Sequence, residues 1–215
     1  RLRAGTHPNI VDYLKFGRHG KRGFLVMELL DGASLRFVLD DAETLPLDEV
    51  KPVIWGIGEA LQLLHAKDMV HGNLTTKNVF VTEALEVRLL DVLPVDPAEP
   101  IVGGTARSDP FSRCTVEDDV FGLACLAYEM LAGKLPFIAQ TKAEIATKIE
   151  YFEPDPITDA NPKVSRVLQR IILRLLEKNI ALRLSDAEET IAALEDRPGS
   201  SLKEYLEEAD RKKED

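Results

Sequence analysis

Residues 118–137 read DDVFGLACLAYEMLAGKLPF. From Asp118 to Ala132 the only charged side chains are Asp118, Asp119 and Glu129, and apolar residues fall on every face of a 3.6-residue repeat. The stretch predicts a helix buried all round rather than along one stripe. Within it, Cys125 reads as a small core residue.

Outward from that helix, the chain has 215 residues, enough for one domain or two small lobes with a real core. Its 27 basic and 37 acidic residues give a formal net charge of −10, and the acidic residues run along the whole length. That balance argues against nucleic acid or an anionic membrane surface as the main partner and fits a solvated surface. The two cysteines, Cys114 and Cys125, are too few for a disulfide framework. No apolar run is long enough to span a bilayer and no signal peptide opens the chain. The expectation is a cytoplasmic location with no direct membrane contact in this segment. The start at Arg1 points to a piece of something longer.

Towards the N-terminus, VDYLKFG and KRGFLVMELL are β-prone runs about a Gly- and Lys-rich turn, read as a hairpin. Ser34 is placed to cap a short helix over LRFVL. From Leu47 to Ala66, Val50, Val53, Ile54, Ile57, Leu61 and Leu64 recur at helical spacing. Gly56 and Gly58 lie inside that helix at a cost in propensity, which implies tight packing. NVFV and VRLLDV are short β-prone runs, and 94–112 is a long Pro- and Gly-rich surface loop. Further helices are expected near 142–150, 163–177 and 185–195, before a charged, helical tail at 197–215.

Seven segments in order resemble the eukaryotic-type Ser/Thr protein kinases, in their bacterial style. They are HPNIV (7–11), LVMELLDGASL (25–35), HGNLTTKN (71–78), LLDVL (89–93), GTAR (104–107), the 118–137 stretch and LEKNIALRLSDAEE (176–189). The resemblance implies an α+β, protein-kinase-like fold. Residues 1–33 would be a hairpin and hinge remnant of the small lobe, and 34–196 a mainly helical large lobe. It places Met27 at the gatekeeper and Glu28, Leu29 and Leu30 in the linker, where the Glu28 and Leu30 backbone would meet an adenine. Asn78 and Asp91 fall on the two magnesium-ligand positions, so a degenerate nucleotide and metal site is expected at Glu28, Leu30, Asn78 and Asp91. The cofactor expectation is accordingly none, or weakly held ATP with magnesium.

The departures bear on function. Where the family carries H-R-D-L-K-P-x-N, this chain has Gly72 for the arginine, Asn73 for the catalytic aspartate and Thr75 for the lysine. An amide cannot take and hold a proton at pH 7, a loss of about 100- to 10,000-fold in rate. Asn73 and Thr75 are expected to hydrogen-bond within the loop. Val92-Leu93 replaces Phe-Gly after Asp91, giving a smaller apolar plug and removing a flexible residue that helps Asp91 reach a phosphate. No G-x-G-x-x-G occurs anywhere.

The remaining expectations are structural. By the same resemblance, Arg183 is the buried arginine whose usual glutamate partner is missing, and an unpaired buried guanidinium is costly. Asp109 is the expected substitute. Asp119 is expected to hold the His71 and Gly72 backbone, with His71 a satisfied core histidine. Taken together, these replacements predict a catalytically inactive kinase homologue, a regulatory or scaffolding pseudokinase. Its partner would be another protein or another domain of a longer parent chain. The loop also resembles the H-G-N loop of the Janus-kinase pseudokinase domain. The alternative is a weak or unorthodox Mg-ATP-dependent phosphotransferase using Asn78 and Asp91.

Overall fold

The structure, a computed structural model, describes residues 7–92 and 115–179. A first antiparallel pair is formed by β1 (Tyr13–His19) and β2 (Arg22–Met27), with His19 opposite Arg22. The two-residue connection needs Gly20, which takes φ +61°. Three short strands make the second sheet in the order β3 (Ala33–Ser34), β4 (Val79–Val81) and β5 (Val87–Leu89), all antiparallel. The HPNIV segment runs beside β5: Val11 N–H donates to the Leu89 carbonyl and Leu89 N–H to that of Asn9, at 3.1 and 2.8 Å.

Helix α1 (Leu35–Asp41) starts where the Ser34 hydroxyl accepts Phe37 N–H. Helix α2 (Leu47–His65) buries its periodic face, from Val50 to Leu64, against β5 and the next helix. Asp48 and Glu49 suit the positive end of its dipole. Gly56 is required there: a Cβ would lie 2.9 Å from Val87 Cβ and 2.9 Å from the Asn9 side-chain nitrogen.

Helix α3 (Val116–Ala132) is buried at every residue from Asp119 to Ala132. A reciprocal cap between Thr115 and Asp118 opens it, and Gly133 at φ +71° closes it by donating to the Glu129 carbonyl. Each of its buried polar side chains is tied to a different part of the molecule. Glu129 meets Arg36 of α1 at 2.6 Å, and the Tyr128 hydroxyl donates to the Asp155 carbonyl at 2.9 Å. Cys125 is buried inside the core. Around α3 pack α5 (Ile157–Ala160) and α6 (Arg166–Leu175), the latter capped by Ser165, with α4 (Lys142–Tyr151) further along the chain. Strand β3 and helix α5, two and four residues long, are too short to show a period in the sequence.

None of the helices among the described residues is long and apolar enough to cross a membrane. The loop expected at 94–112 with its GTAR segment, Asp109, Arg183, Cys114, the helix expected at 185–195 and the tail lie outside the described residues.

Candidate functional site

The 71–78 loop joins α2 to β4 and is fixed from below by one carboxylate. Asp119, on the first turn of α3 and 1% exposed, accepts His71 N–H at 2.8 Å, Gly72 N–H at 2.8 Å and His65 Nε2 at 2.9 Å. Three donors on a buried carboxylate offset its loss of water. Gly72 sits at φ +70°, a backbone conformation glycine takes at no cost and an arginine would not.

His71 is buried, with Nε2 at 2.9 Å from the Leu90 carbonyl and Nδ1 accepting Asn73 N–H at 3.2 Å. That pair of contacts sets the neutral tautomer with hydrogen on Nε2. Burial pushes its pKa below the ordinary histidine value, against the opposing pull of Asp119, the Leu90 carbonyl and Asp91. The strand end is laced to the loop a second time by Leu90 N–H donating to the Asn78 carbonyl at 2.8 Å.

This lacing brings Asn73, Asn78 and Asp91 together. The Asn73 side-chain amide donates to Asp91 Oδ2 at 2.8 Å. The Asn78 amide donates to the Asn73 carbonyl at 2.9 Å and reaches the same Asp91 oxygen at 3.4 Å. Asp91 stands at φ +62°. The turn is therefore made by the aspartate itself, a residue that tolerates the left-handed region better than most, and does not wait for a glycine after it. Val92 fills the position behind it at 3% exposure.

With both amide groups on Asp91 Oδ2, the other carboxylate oxygen and Asn78 Oδ1 meet no donor among the described residues and stand as hard oxygen donors on adjoining loops. A carboxylate and an amide oxygen suit magnesium, which takes few protein ligands and completes its octahedron with water and phosphate oxygens. Asn73 Oδ1 is a buried acceptor that meets no donor among the described residues.

The two linker residues are placed differently. Glu28 N–H donates to the Asp12 carbonyl at 2.9 Å, and its side chain accepts Asp12 N–H at 3.0 Å. Its amide is thus committed to the hairpin base. Leu30 is half-buried and makes no hydrogen bond among the described residues. Thr75 closes the loop's turn by accepting Asn78 N–H through its carbonyl.

Two participants were not singled out from the sequence. His65, in the last turn of α2, completes the Asp119 node; its only sequence signal is a histidine ending an apolar helical face. Tyr13 of β1 receives Val92 N–H on its hydroxyl at 2.9 Å. Burial holds that phenol above the ordinary tyrosine pKa, opposed by the hydrogen bond from Val92. Nothing local in β1 marks it, because its partner is 79 residues away.

Residues 1–92 match the family described as the protein kinase domain. Similarity to curated relatives runs further along the chain. It is 26% identical over 196 residues to the probable serine/threonine-protein kinase PknB of Lactococcus lactis, covering 86% of this chain and 31% of that one. To the serine/threonine-protein kinase pkn2 of Myxococcus xanthus it is 29% identical over 213 residues, covering 90% and 26%. To PknB of Mycobacterium leprae it is 25% identical over 208 residues, covering 89% and 33%. The chain spans about a quarter to a third of the length of these relatives.

These relatives correct the expectation that the chain is not an enzyme, since those it matches over most of its length are named as protein kinases. The physical reason is one of scale. Loss of a base costs about 100- to 10,000-fold, while phosphoryl transfer rests mainly on positioning and charge neutralisation. The Asn78 and Asp91 oxygens are present. The chain is similar to Ser/Thr protein kinases, and its fold is protein-kinase-like.

Proposed function

We propose that this chain carries the catalytic loop and metal-facing turn of a weak, unorthodox Mg-ATP-dependent phosphotransferase acting on protein hydroxyl groups. The observation that carries this reading is the convergence of Asn78 and Asp91, with the left-handed Asp91 held by two side-chain amides of the 71–78 loop. Strained backbone of this kind survives where surrounding structure over-determines it, and it collects at functional sites.

Asp91 and Asn78 would hold magnesium through the carboxylate and the side-chain carbonyl. Bound there, magnesium with its nucleotide neutralises charge on the phosphates. The chain's own part is orientation: Asn78 fixes the loop through the Asn73 carbonyl, and Asn73 fixes Asp91 through its amide. The backbone around Glu28 and Leu30 is the surface for the adenine edge. In the reaction, the hydroxyl oxygen forms a bond to the γ-phosphorus as the bond to the ADP oxygen breaks. The hydroxyl proton goes to an oxygen of the transferred phosphoryl group, since the side chain at 73 is an amide. Turnover slower by roughly two to four decades than with a carboxylate base is the consequence.

The test is transfer of labelled γ-phosphate to a mixed basic-protein substrate by the longest natural chain containing these residues, beside its Asp91→Ala variant. Magnesium-dependent transfer lost in the variant is expected. Transfer no greater than that of Asp91→Ala would overturn the reading.

A further inference from the structure

The Asp91 turn has a second support, outside the loops that make up the site. Val92 is buried, and a buried amide without an acceptor is costly. The acceptor is the Tyr13 hydroxyl, 2.9 Å away. Tyr13 reaches it from β1, where it pairs with Met27 and packs against the core. The peptide between Asp91 and Val92 turns with the backbone of Asp91. Relaxing Asp91 from φ +62° to an ordinary negative value would swing Val92 N–H away from the phenol. The two Asn amides hold the carboxylate and the phenol holds the peptide behind it, so the turn is gripped at both ends.

We propose that Tyr13 is a positioning residue for this site, keeping the Asp91 carboxylate aimed at the cation by accepting Val92 N–H. The inference rests on the phosphotransferase reading and adds to it a requirement on the hairpin: the strand carrying Tyr13 must be seated for the metal-facing turn to keep its shape. The cation would then bind less well whenever β1 shifts.

The experiment is calorimetric titration of ATP into the wild-type chain and Tyr13→Phe, with magnesium and with EDTA. Phenylalanine keeps the ring and removes only the hydroxyl that accepts Val92 N–H. Losing one hydrogen bond is expected to weaken magnesium-dependent binding by roughly 2- to 10-fold. Magnesium-free binding should change by less than about twofold, because the adenine edge does not use Tyr13. Amide exchange at Val92, read by NMR, should speed up in the variant at the same time. Equal weakening with and without magnesium would make Tyr13 a merely structural residue and overturn the proposal. So would unchanged or tighter magnesium-dependent binding, or unchanged exchange at Val92. If the wild-type chain itself shows no magnesium-dependent affinity, the reading of Asn78 and Asp91 fails and this proposal falls with it. A normal wild-type response with an unaltered variant sinks the Tyr13 role alone.

Discussion

Replacing Asn73 by aspartate would put a proton acceptor where the loop now has an amide, and its effect can be worked out in advance. In the present structure the Asn73 amide donates to Asp91 Oδ2 at 2.8 Å. Asn73→Asp turns that attraction into a contact between two carboxylates. At about 3 Å their repulsion is roughly 1.4 kcal/mol with a water-like dielectric and roughly 5.5 kcal/mol at an effective dielectric of 20. Asp91 is exposed and its contact with residue 73 faces solvent, which places the cost near the lower figure. A general base, by comparison, lowers the barrier by about 3–5.5 kcal/mol. The gain exceeds the cost, so turnover should rise at least about tenfold. Because a divalent cation screens the new repulsion, the rate should also depend more steeply on magnesium. Initial rates of phosphate transfer against magnesium concentration and pH, with ATP affinity measured in parallel, give the answer. A rate within about threefold of wild type, at undiminished Mg-ATP affinity, would mean that the missing base is not what limits this site.

Asp119→Ala should strand the three donors of its node in a buried site, at about 1–3 kcal/mol each, lowering the melting temperature by roughly 10–20 °C. A drop under about 3 °C in a calorimetric scan would contradict the node's role. His71 has its folded pKa below the unfolded value, so the unfolded chain takes up the proton first as pH falls. The stability it supports is complete above about pH 6.5 and declines as pH drops from there toward the lowered folded value. Urea midpoints at pH 7.5 and 5.5 should therefore diverge less in His71→Gln than in wild type. Two left-handed glycines separate steric space from backbone strain. Gly133→Ala would bring a Cβ to 2.2 Å from the Glu43 carbonyl oxygen, whereas Gly20→Ala meets nothing within 4 Å. The second should cost about 1–2 kcal/mol and the first clearly more, as read from urea unfolding.

The helices were legible because burial imposes a period: α2, α3, α4 and α6 each repeat apolar residues at helical spacing or are apolar throughout. The loop was legible as an ordered motif, which places Asn73, Asn78 and Asp91 in one region before any coordinates are known. Two things were not legible. Asp91 takes its left-handed turn without a following glycine because other parts of the chain support it, and local sequence does not carry such support. Tyr13 and His65 act on partners 79 and 54 residues away. A tyrosine in a strand or a histidine at a helix end looks the same whether or not its polar tip has such a partner.

The Asp119 node also has an order in time. His71 and Gly72 emerge from the ribosome 48 and 47 residues before the carboxylate that fixes them. At about 5–20 residues per second that interval is roughly 2–10 s. Asn78 and Asp91 are both synthesised within it, so every group proposed to face the cation exists before the loop can be anchored. A nascent chain halted ahead of Val116 would hold all of those groups and no working arrangement of them. The site is completed by the last of its supports to be made.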